Sequence, residues 1–184
     1  SPVQCGMQAD VVIDFSNPAA LTPLLEFSLA RGIPLVLATT GYDLDQLDLI
    51  QEAAQKVPIF RSANMSLGIN VLLTLVKQAA AALGEDFDVE IVERHHSRKL
   101  DAPSGTALML ADAASSALPY DPEHIYDRHL TRKARDRREI GISSVRGGTI
   151  VGDHTITFAG TDEIIEIKHH AASRSIFAAG AIKA

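Results

Sequence analysis

The chain has 184 residues with 46% hydrophobic content, which is enough to build a core in one domain or in two small ones. The formal net charge of −6 argues against wholesale binding to nucleic acid or to an acidic membrane surface. The single cysteine, Cys5, excludes an internal disulfide. With no leader and no apolar run of membrane-spanning length in view, the composition predicts a soluble cytoplasmic protein.

The first third of the chain alternates strands with helices. Strands are predicted at residues 11–15, 33–38 and 57–60, and a second helix at residues 44–54. Asn17 and Pro18 begin the first helix as its cap and first residue, and Gly32 ends it. This alternation implies right-handed crossovers and a doubly wound parallel sheet.

The rest of the chain has a different pattern. Helical spacing runs from residue 67 to residue 83, and a second helix is predicted at residues 106–114. Four strand candidates lie at residues 89–93, 140–145, 154–158 and 164–168, with a hairpin turn at residues 159–162. The pattern predicts an α+β domain with a mixed four-stranded sheet, which a helix pair covers on one side and another subunit covers on the other.

The segment from residue 93 to residue 107 concentrates the chemistry of the chain, and it reads ERHHSRKLDAPSGTA. The strand alternation of Val89 and Ile91 places His95 on their side of the sheet. Ser104 is a good N-cap, and the N–H groups of a helix start bind carboxylates or phosphates. A histidine that can exchange protons and the charge of Lys99 complete a candidate site.

Plainer interpretations stand beside these. Two adjacent histidines are usually a surface feature, a Ser-Gly-Thr helix start is usually only a cap, and adjacent histidines are poor metal co-ligands. The basic run at residues 128–138 is better explained as a solvated loop than as a nucleic-acid patch, because aromatic stacking partners are missing. The pair at residues 169–170 is expected at a strand end, and no metal site is predicted.

The same segment resembles the signature of the 4-hydroxy-tetrahydrodipicolinate reductases, also called dihydrodipicolinate reductases. That pattern is ExHHxxKxDxPSGTA, and this sequence matches every fixed position. Blocks at residues 10–16, 38–41, 62–70, 146–154 and 172–174 are also similar to the family, so the resemblance runs nearly end to end. It implies an α/β chain with a Rossmann domain followed by a substrate domain.

The resemblance also implies a domain division. No Gly-x-Gly-x-x-Gly turn is present in the 184 residues, so we expect a fragment that begins after that turn. Residues 1–66 would be the second part of a dinucleotide-binding domain, and residues 67–175 the substrate-binding and tetramerisation domain. Residues 176–184 would return toward the first domain. A fragment of this kind is expected to be weakly active or inactive alone.

The family resemblance implies the reaction and its residues. The substrate would be (2S,4S)-4-hydroxy-2,3,4,5-tetrahydrodipicolinate of lysine and diaminopimelate synthesis, reduced to tetrahydrodipicolinate by NADH or NADPH in a homotetramer. His95 would be the general acid or base, Lys99 the proton donor, and the dicarboxylate would be bound by His96, Ser104, Gly105 and Thr106. The cofactor would be lined by Ala38, Thr39, Thr40, Ser62, Ala63, Asn64 and Met65.

Two alternatives remain open. The chain could fold and bind dicarboxylates without productive dinucleotide binding. It could also be another two-domain nicotinamide enzyme, such as a semialdehyde dehydrogenase, which needs a nucleophilic cysteine in its substrate domain. Cys5 lies in the dinucleotide part, so this second alternative is disfavoured. The sequence does not distinguish NADH from NADPH.

Overall fold

The computed structural model describes residues 8–184, so Cys5 lies outside the described residues. Contacts within the chain divide it into two compact units. One comprises Ser1–Met65 together with Phe177–Ala184, and the other comprises Ser66–Ile176. These boundaries fall one residue from the divisions at 66/67 and 175/176 drawn from the sequence.

The first unit contains a parallel sheet of three short strands. These are β1 (Val12–Asp14), β2 (Leu35–Leu37) and β3 (Ile59–Arg61), in the order β1-β2-β3. Each strand is shorter than the run of extended residues predicted from the sequence. Pro34 and Pro58 explain part of the difference, because proline has no N–H for the ladder, and both contribute only their carbonyl groups to the neighbouring strand.

The first unit has two helices: the first ends where predicted but becomes α-helical three residues after Pro18, and the second has its predicted bounds, residues 44–54. Asn17 caps a short 3-10 helix, Pro18–Ala20, which leads into α1 (Leu21–Arg31), and Gly32 ends α1 with a φ of 66°. Asp43 caps α2 (Leu44–Ala54) in a reciprocal capping box with Gln46. Both helices bury leucines and an isoleucine on β2, with Leu21, Leu25, Leu35, Leu37 and Ile50 in the core.

The second unit is a helix pair on a mixed sheet. Its elements are α3 (Leu67–Leu83), β4 (Asp88–His95), α4 (Gly105–Ser115), β5 (Glu123–Tyr126), β6 (Glu139–Arg146), β7 (Asp153–Ala159) and β8 (Ile164–His170). The sheet order is β5-β6-β4-β7-β8. Strands β5, β6 and β4 pair in parallel, β7 pairs antiparallel to β4, and β8 pairs antiparallel to β7. Helix α5 (Ser175–Lys183) follows β8.

The predicted number of strands in this sheet is wrong, since there are five rather than four. The additional strand, β5, has four residues and lies at the edge of the sheet. Only one of its residues, Ile125, is β-branched, so it lacks the alternation that marks a strand in sequence.

One face of the five-stranded sheet carries the core. Helices α3 and α4 cover this face, as predicted, with Ile69, Leu72 and Val76 from α3 and Leu110 from α4 fully buried or nearly so. Strand β4 buries every second residue, and the buried row is Val89, Ile91, Glu93 and His95. The two-residue period that builds the core therefore also places an acid and a histidine at its end.

Helix α3 corrects one statement made from the sequence. Together with the turn after it, residues Leu67–Asp86 are long and apolar enough to cross a membrane by length and composition, so the predicted absence of such a run is wrong. One such helix is weak evidence for a membrane span, because the core helices of globular domains have the same composition. Ile69, Leu72, Val76 and Ala80 of α3 are buried in the core of this unit.

Two arginines of the basic run at residues 128–138 pair with acids of β4 and β6. Arg135 donates hydrogen bonds to Glu90 and Asp88, each at 2.8 Å, and its side chain is only 16% exposed. Arg128 is paired with the buried carboxylate of Glu139. The interpretation as a fully solvated loop is therefore wrong for these two arginines, whose charges are used within the chain.

Candidate active site

The end of β4 carries a buried acid in contact with a histidine and an arginine. Glu93 is completely buried, and its Oε2 lies 2.5 Å from Nδ1 of His95. Arg146, at the end of β6, donates from Nη1 to Oε2 at 2.8 Å and from Nη2 to Oε1 at 2.7 Å. Burial alone would raise the pKa of Glu93, but the hydrogen bonds from His95 and Arg146 outweigh burial and hold that pKa well below its usual range.

This contact determines which nitrogen of His95 is available for chemistry. An ionised carboxylate only accepts hydrogen bonds, so Nδ1 of His95 carries the hydrogen that Glu93 accepts. Nε2 is then the ring atom that can exchange a proton with a substrate. On the Nε2 side the chain has Gly152, where an added methyl carbon would lie 3.0 Å from that nitrogen.

A second buried histidine, His154, lies beside the first. The two rings meet edge to face, with 5.2 Å between their centroids, and His154 Nε2 is 3.0 Å from Oγ of Ser104. Burial, followed by the charge of His95, lowers the pKa of His154 to about 4, so its ring is neutral near neutral pH. Sequence reasoning assigned His154 only to a strand, although its alternation with Ile156 and Phe158 places it on the apolar face.

Helix α4 begins against the same cluster. The Oγ of Ser104 accepts from the N–H of Ala107 at 3.2 Å, which confirms the predicted N-cap. The backbone N–H of Ser104 donates to Oε1 of Glu93 at 3.1 Å. Gly105 is exposed, and no atom lies within 4 Å of where a side chain would begin. The helix start is therefore open to a ligand on its Gly105 side.

The loop between β4 and α4 holds the predicted lysine. Lys99 Nζ lies 2.8 Å from Oδ1 of Asp101, and the Lys99 side chain is 21% exposed. Burial would raise the pKa of Asp101, but the hydrogen bond and charge of Lys99 lower it overall. Arg146 Nη2 also donates to the carbonyl of Asp101 at 2.7 Å, so one arginine contacts both the buried acid and this loop.

Arg174, in contact with His96, forms the positive side of the site. Nη2 of Arg174 lies 3.2 Å from Nε2 of His96. Burial of the His96 ring and the charges of Arg174 and Arg98 lower the pKa of His96, so its neutral ring accepts from Arg174. Together with Lys99, these cations make the region suitable for an anion. Arg174 lies in a block that resembles the family, but the sequence assigned no role to it.

The residues predicted to line a cofactor lie at the carboxyl ends of β2 and β3. Open α/β sheets bind ligands at this edge. The buried carboxylate of Asp14 accepts from Oγ1 of Thr39 at 2.6 Å, which joins the end of β1 to the loop after β2. Ser62 Oγ donates to the carbonyl of Asn64 at 2.8 Å.

These seven residues differ in what they offer a ligand. Thr40 and Ala63 are exposed, whereas Thr39 and Asn64 are buried. The side chain of Met65 packs against Val36 and Ala181 in a small core. Thr40 and Ala63 are therefore accessible to a ligand at this edge, whereas Thr39 and Met65 support the loops from inside.

Among residues 8–184, the part of the chain that the structure describes, no group of three or more histidine, cysteine, aspartate or glutamate side chains is placed to hold a metal ion. Adjacent His169 and His170 end β8, as expected, and contact different residues. His170 Nδ1 lies 2.5 Å from Oδ1 of Asp153, and His169 Nε2 lies 3.5 Å from Oγ of Ser66.

The sequence of the chain matches two family descriptions. Dihydrodipicolinate reductase, N-terminus, matches residues 2–65, and Dihydrodipicolinate reductase, C-terminus, matches residues 68–184. The chain belongs to the dihydrodipicolinate reductase family. Recognition of the family from the motif is therefore confirmed, and so are the α/β fold class and the assignment to the oxidoreductases.

Relatives in the reductase family are similar over nearly the whole chain. The 4-hydroxy-tetrahydrodipicolinate reductase of Caldanaerobacter subterraneus is 55% identical over 96% of this chain and 70% of its own length. That of Clostridium tetani is 52% identical over 100% of this chain and 70% of its own length. The solved dipicolinate-bound dihydrodipicolinate reductase from Paenisporosarcina sp. TG-14 has a TM-score of 0.73 at 28% identity, covering 94% of this chain and 66% of that one.

Proposed function

We propose that the site at the end of β4 reduces (2S,4S)-4-hydroxy-2,3,4,5-tetrahydrodipicolinate to tetrahydrodipicolinate, a step of lysine and diaminopimelate synthesis, with NADH or NADPH as reductant. The observation that carries the proposal is the juxtaposition of His95, hydrogen-bonded to the buried Glu93, with the start of α4. The carboxylate of Glu93 thereby contacts both the proton-exchanging ring of His95 and the start of α4, a helix terminus that can bind an anion.

The substrate is a small ring with two carboxylates, and the site offers two kinds of partner for them. The start of α4 at Gly105 and Thr106 provides backbone N–H groups and the positive end of the helix dipole, beside Ser104, whose own N–H is donated to Glu93. Arg174, which is hydrogen-bonded to the neutral ring of His96, provides a neighbouring positive charge. The dipicolinate bound to the Paenisporosarcina reductase has the same two carboxylates, which supports a small dicarboxylate as the substrate here.

Proton donation falls to His95 and Lys99. Departure of the hydroxyl at ring C4 as water consumes a proton, which the Lys99 ammonium or His95 Nε2 can donate. A bound reduced nicotinamide supplies the hydride. Glu93 retains its negative charge throughout and holds Nδ1 of His95, which leaves Nε2 for the proton transfer.

The holoenzyme is proposed to be a cytoplasmic homotetramer that assembles through the five-stranded sheet. The sheet face opposite the helices has exposed apolar side chains, Val145 at 44% and Ile164 at 66% exposure, among polar ones. A two-fold contact would bring the same strands of each pair of chains together.

Steady-state kinetics test the proposed reaction. Oxidation of NADH or NADPH should depend on the hydroxy-tetrahydrodipicolinate, and His95→Ala should lower kcat by roughly 100- to 10,000-fold. Asp153→Asn is the control. It removes a carboxylate that lies 2.5 Å from Nδ1 of His170, a ring that is 62% exposed, and it should leave kcat unchanged. Dicarboxylate binding without turnover would favour the binding-only alternative, and wild-type turnover in His95→Ala would remove His95 from the mechanism.

A further inference from the structure

The side chain that contacts the most parts of this site is one to which the motif assigns no role. The two oxygens of Glu93 meet His95 on β4, Arg146 on β6 and the Ser104 N–H at the start of α4. Arg146 in turn donates to the carbonyl of Asp101, whose carboxylate contacts Lys99. A single buried ion pair therefore connects the proposed acid, the proposed proton donor and the proposed carboxylate-binding helix start.

We propose that Glu93, held in place by Arg146, is the positioning residue of this site: it keeps the hydrogen of His95 on Nδ1 and fixes the His95 ring relative to the start of α4. The proposal rests on the proposed function for the identity of the reaction. The tautomer of His95 is a property of the chain without substrate, so that part of the proposal does not depend on the proposed function.

Packing alone does not account for this carboxylate. A buried ion pair can often be replaced by apolar side chains without loss of stability, and the preceding row of the same sheet face, Ile91, Ile142 and Ile156, is apolar. The hydrogen bonds to the carboxylate also have fixed directions. Each oxygen accepts one hydrogen bond from Arg146, Oε2 also contacts Nδ1 of His95, and Oε1 also accepts from the Ser104 N–H. Such an arrangement determines an orientation.

The surroundings of His95 agree with a fixed ring. His154 packs edge to face against it and is itself held by Ser104 Oγ at 3.0 Å. Gly152 leaves the Nε2 side clear of a side chain, at a place where even a methyl group would lie 3.0 Å away. Glu93 therefore holds one nitrogen of the ring, and the absence of a side chain at Gly152 keeps the other free of a clash.

The replacement Glu93→Gln separates positioning from shape. The glutamine oxygen can still accept from the Ser104 N–H, but its NH₂ group can only donate to Nδ1 of His95. The hydrogen of the ring must then move to Nε2. Nitrogen-15 NMR of the His95 ring, recorded with and without pyridine-2,6-dicarboxylate, should show the Nδ1–H form in the wild type and the Nε2–H form in Glu93→Gln.

Steady-state kinetics provide a second measurement on Glu93→Gln. A histidine in the wrong tautomer loses turnover far more than binding, so kcat of Glu93→Gln should fall roughly 100-fold or more while KM for the dicarboxylate changes much less. Arg146→Lys keeps a charge beside Glu93 and should retain the Nδ1–H form. Asp153→Asn should match the wild type in both measurements.

The two claims fail separately. An Nε2–H tautomer in the wild type, or wild-type kcat in Glu93→Gln, would overturn the positioning role. If Glu93→Gln does not fold, the wild-type and Arg146→Lys spectra still decide the claim about the tautomer, because both must show hydrogen on Nδ1. Absence of reductase turnover in the wild type would count against the proposed function, and the tautomer would remain a test of the role of Glu93.

Discussion

Removal of Arg146 should be among the most damaging single changes that can be made to the second unit. Arg146→Met keeps a long side chain but leaves the completely buried carboxylate of Glu93 without its bidentate partner. Breaking a buried ion pair in this way typically costs about 3–5 kcal/mol. Glu93 would keep its contacts with His95 and the Ser104 N–H, and the Arg146 side chain is 20% exposed, so we expect the lower end, about 3 kcal/mol.

Urea unfolding followed by far-ultraviolet circular dichroism measures this change, since the chain has no tryptophan to report by fluorescence. Arg138→Met is the matched control. Arg138 lies 3.5 Å from Glu85 with both side chains more than half exposed, so its loss should cost less than about 1 kcal/mol.

A double variant and the pH dependence test the same reasoning. Adding Glu93→Gln to Arg146→Met removes the uncompensated charge and should recover part of the lost stability. The lowered pKa of Glu93 means that its ionised form stabilises the wild type above the pKa of an unfolded glutamate. This stabilisation is lost as the pH falls, so the difference between wild type and Arg146→Met should shrink in acid. Equal costs for Arg146→Met and Arg138→Met at neutral pH would refute the reasoning.

Two further predictions concern the second histidine and assembly. The pKa of His154 is lowered from 6.5 to about 4, so between these values the unfolded chain binds a proton that the folded chain does not, and stability should rise with pH across this window by up to about 3 kcal/mol. In His154→Leu that slope in the free energy of unfolding should flatten, and an unchanged slope would assign the effect to other groups. Light scattering of the protein at micromolar concentration should give the mass of four chains, and a monomer mass would contradict assembly through the sheet.

The sequence predicted the parts of the fold that depend on local chemistry. The caps at Asn17 and Ser104, the end of α1 at Gly32 and the extent of α3 follow from side chains and spacing that act within a few residues. The alternation of β4 likewise placed His95 on the buried face. Strand β5 was missed because an edge strand of four residues depends on its neighbour β6 rather than on its own pattern.

The supporting residues of the site were harder to find because they are brought together by sheet register. Arg146 reaches Glu93 because β6 runs parallel to β4 with Arg146 paired to His95, and His154 reaches the site because β7 pairs it with Glu93. These partners lie roughly 50 or more residues away in the chain, so no local spacing reveals them. The motif provided His95 and Lys99 directly, whereas the contacts that orient them required the three-dimensional structure.

Calorimetric titration with pyridine-2,6-dicarboxylate tests most directly whether this segment is a dicarboxylate site. The wild type should bind the ligand saturably, with an affinity that weakens as salt is added, because charge supplies much of the interaction. Lys99→Ala should weaken binding by roughly 10-fold or more, as expected for the loss of a charged hydrogen-bond donor, whereas Lys133→Ala, which removes a lysine that is 67% exposed beside Glu139, should not. Absence of binding to the wild type, or equal affinity in Lys99→Ala, would contradict the account.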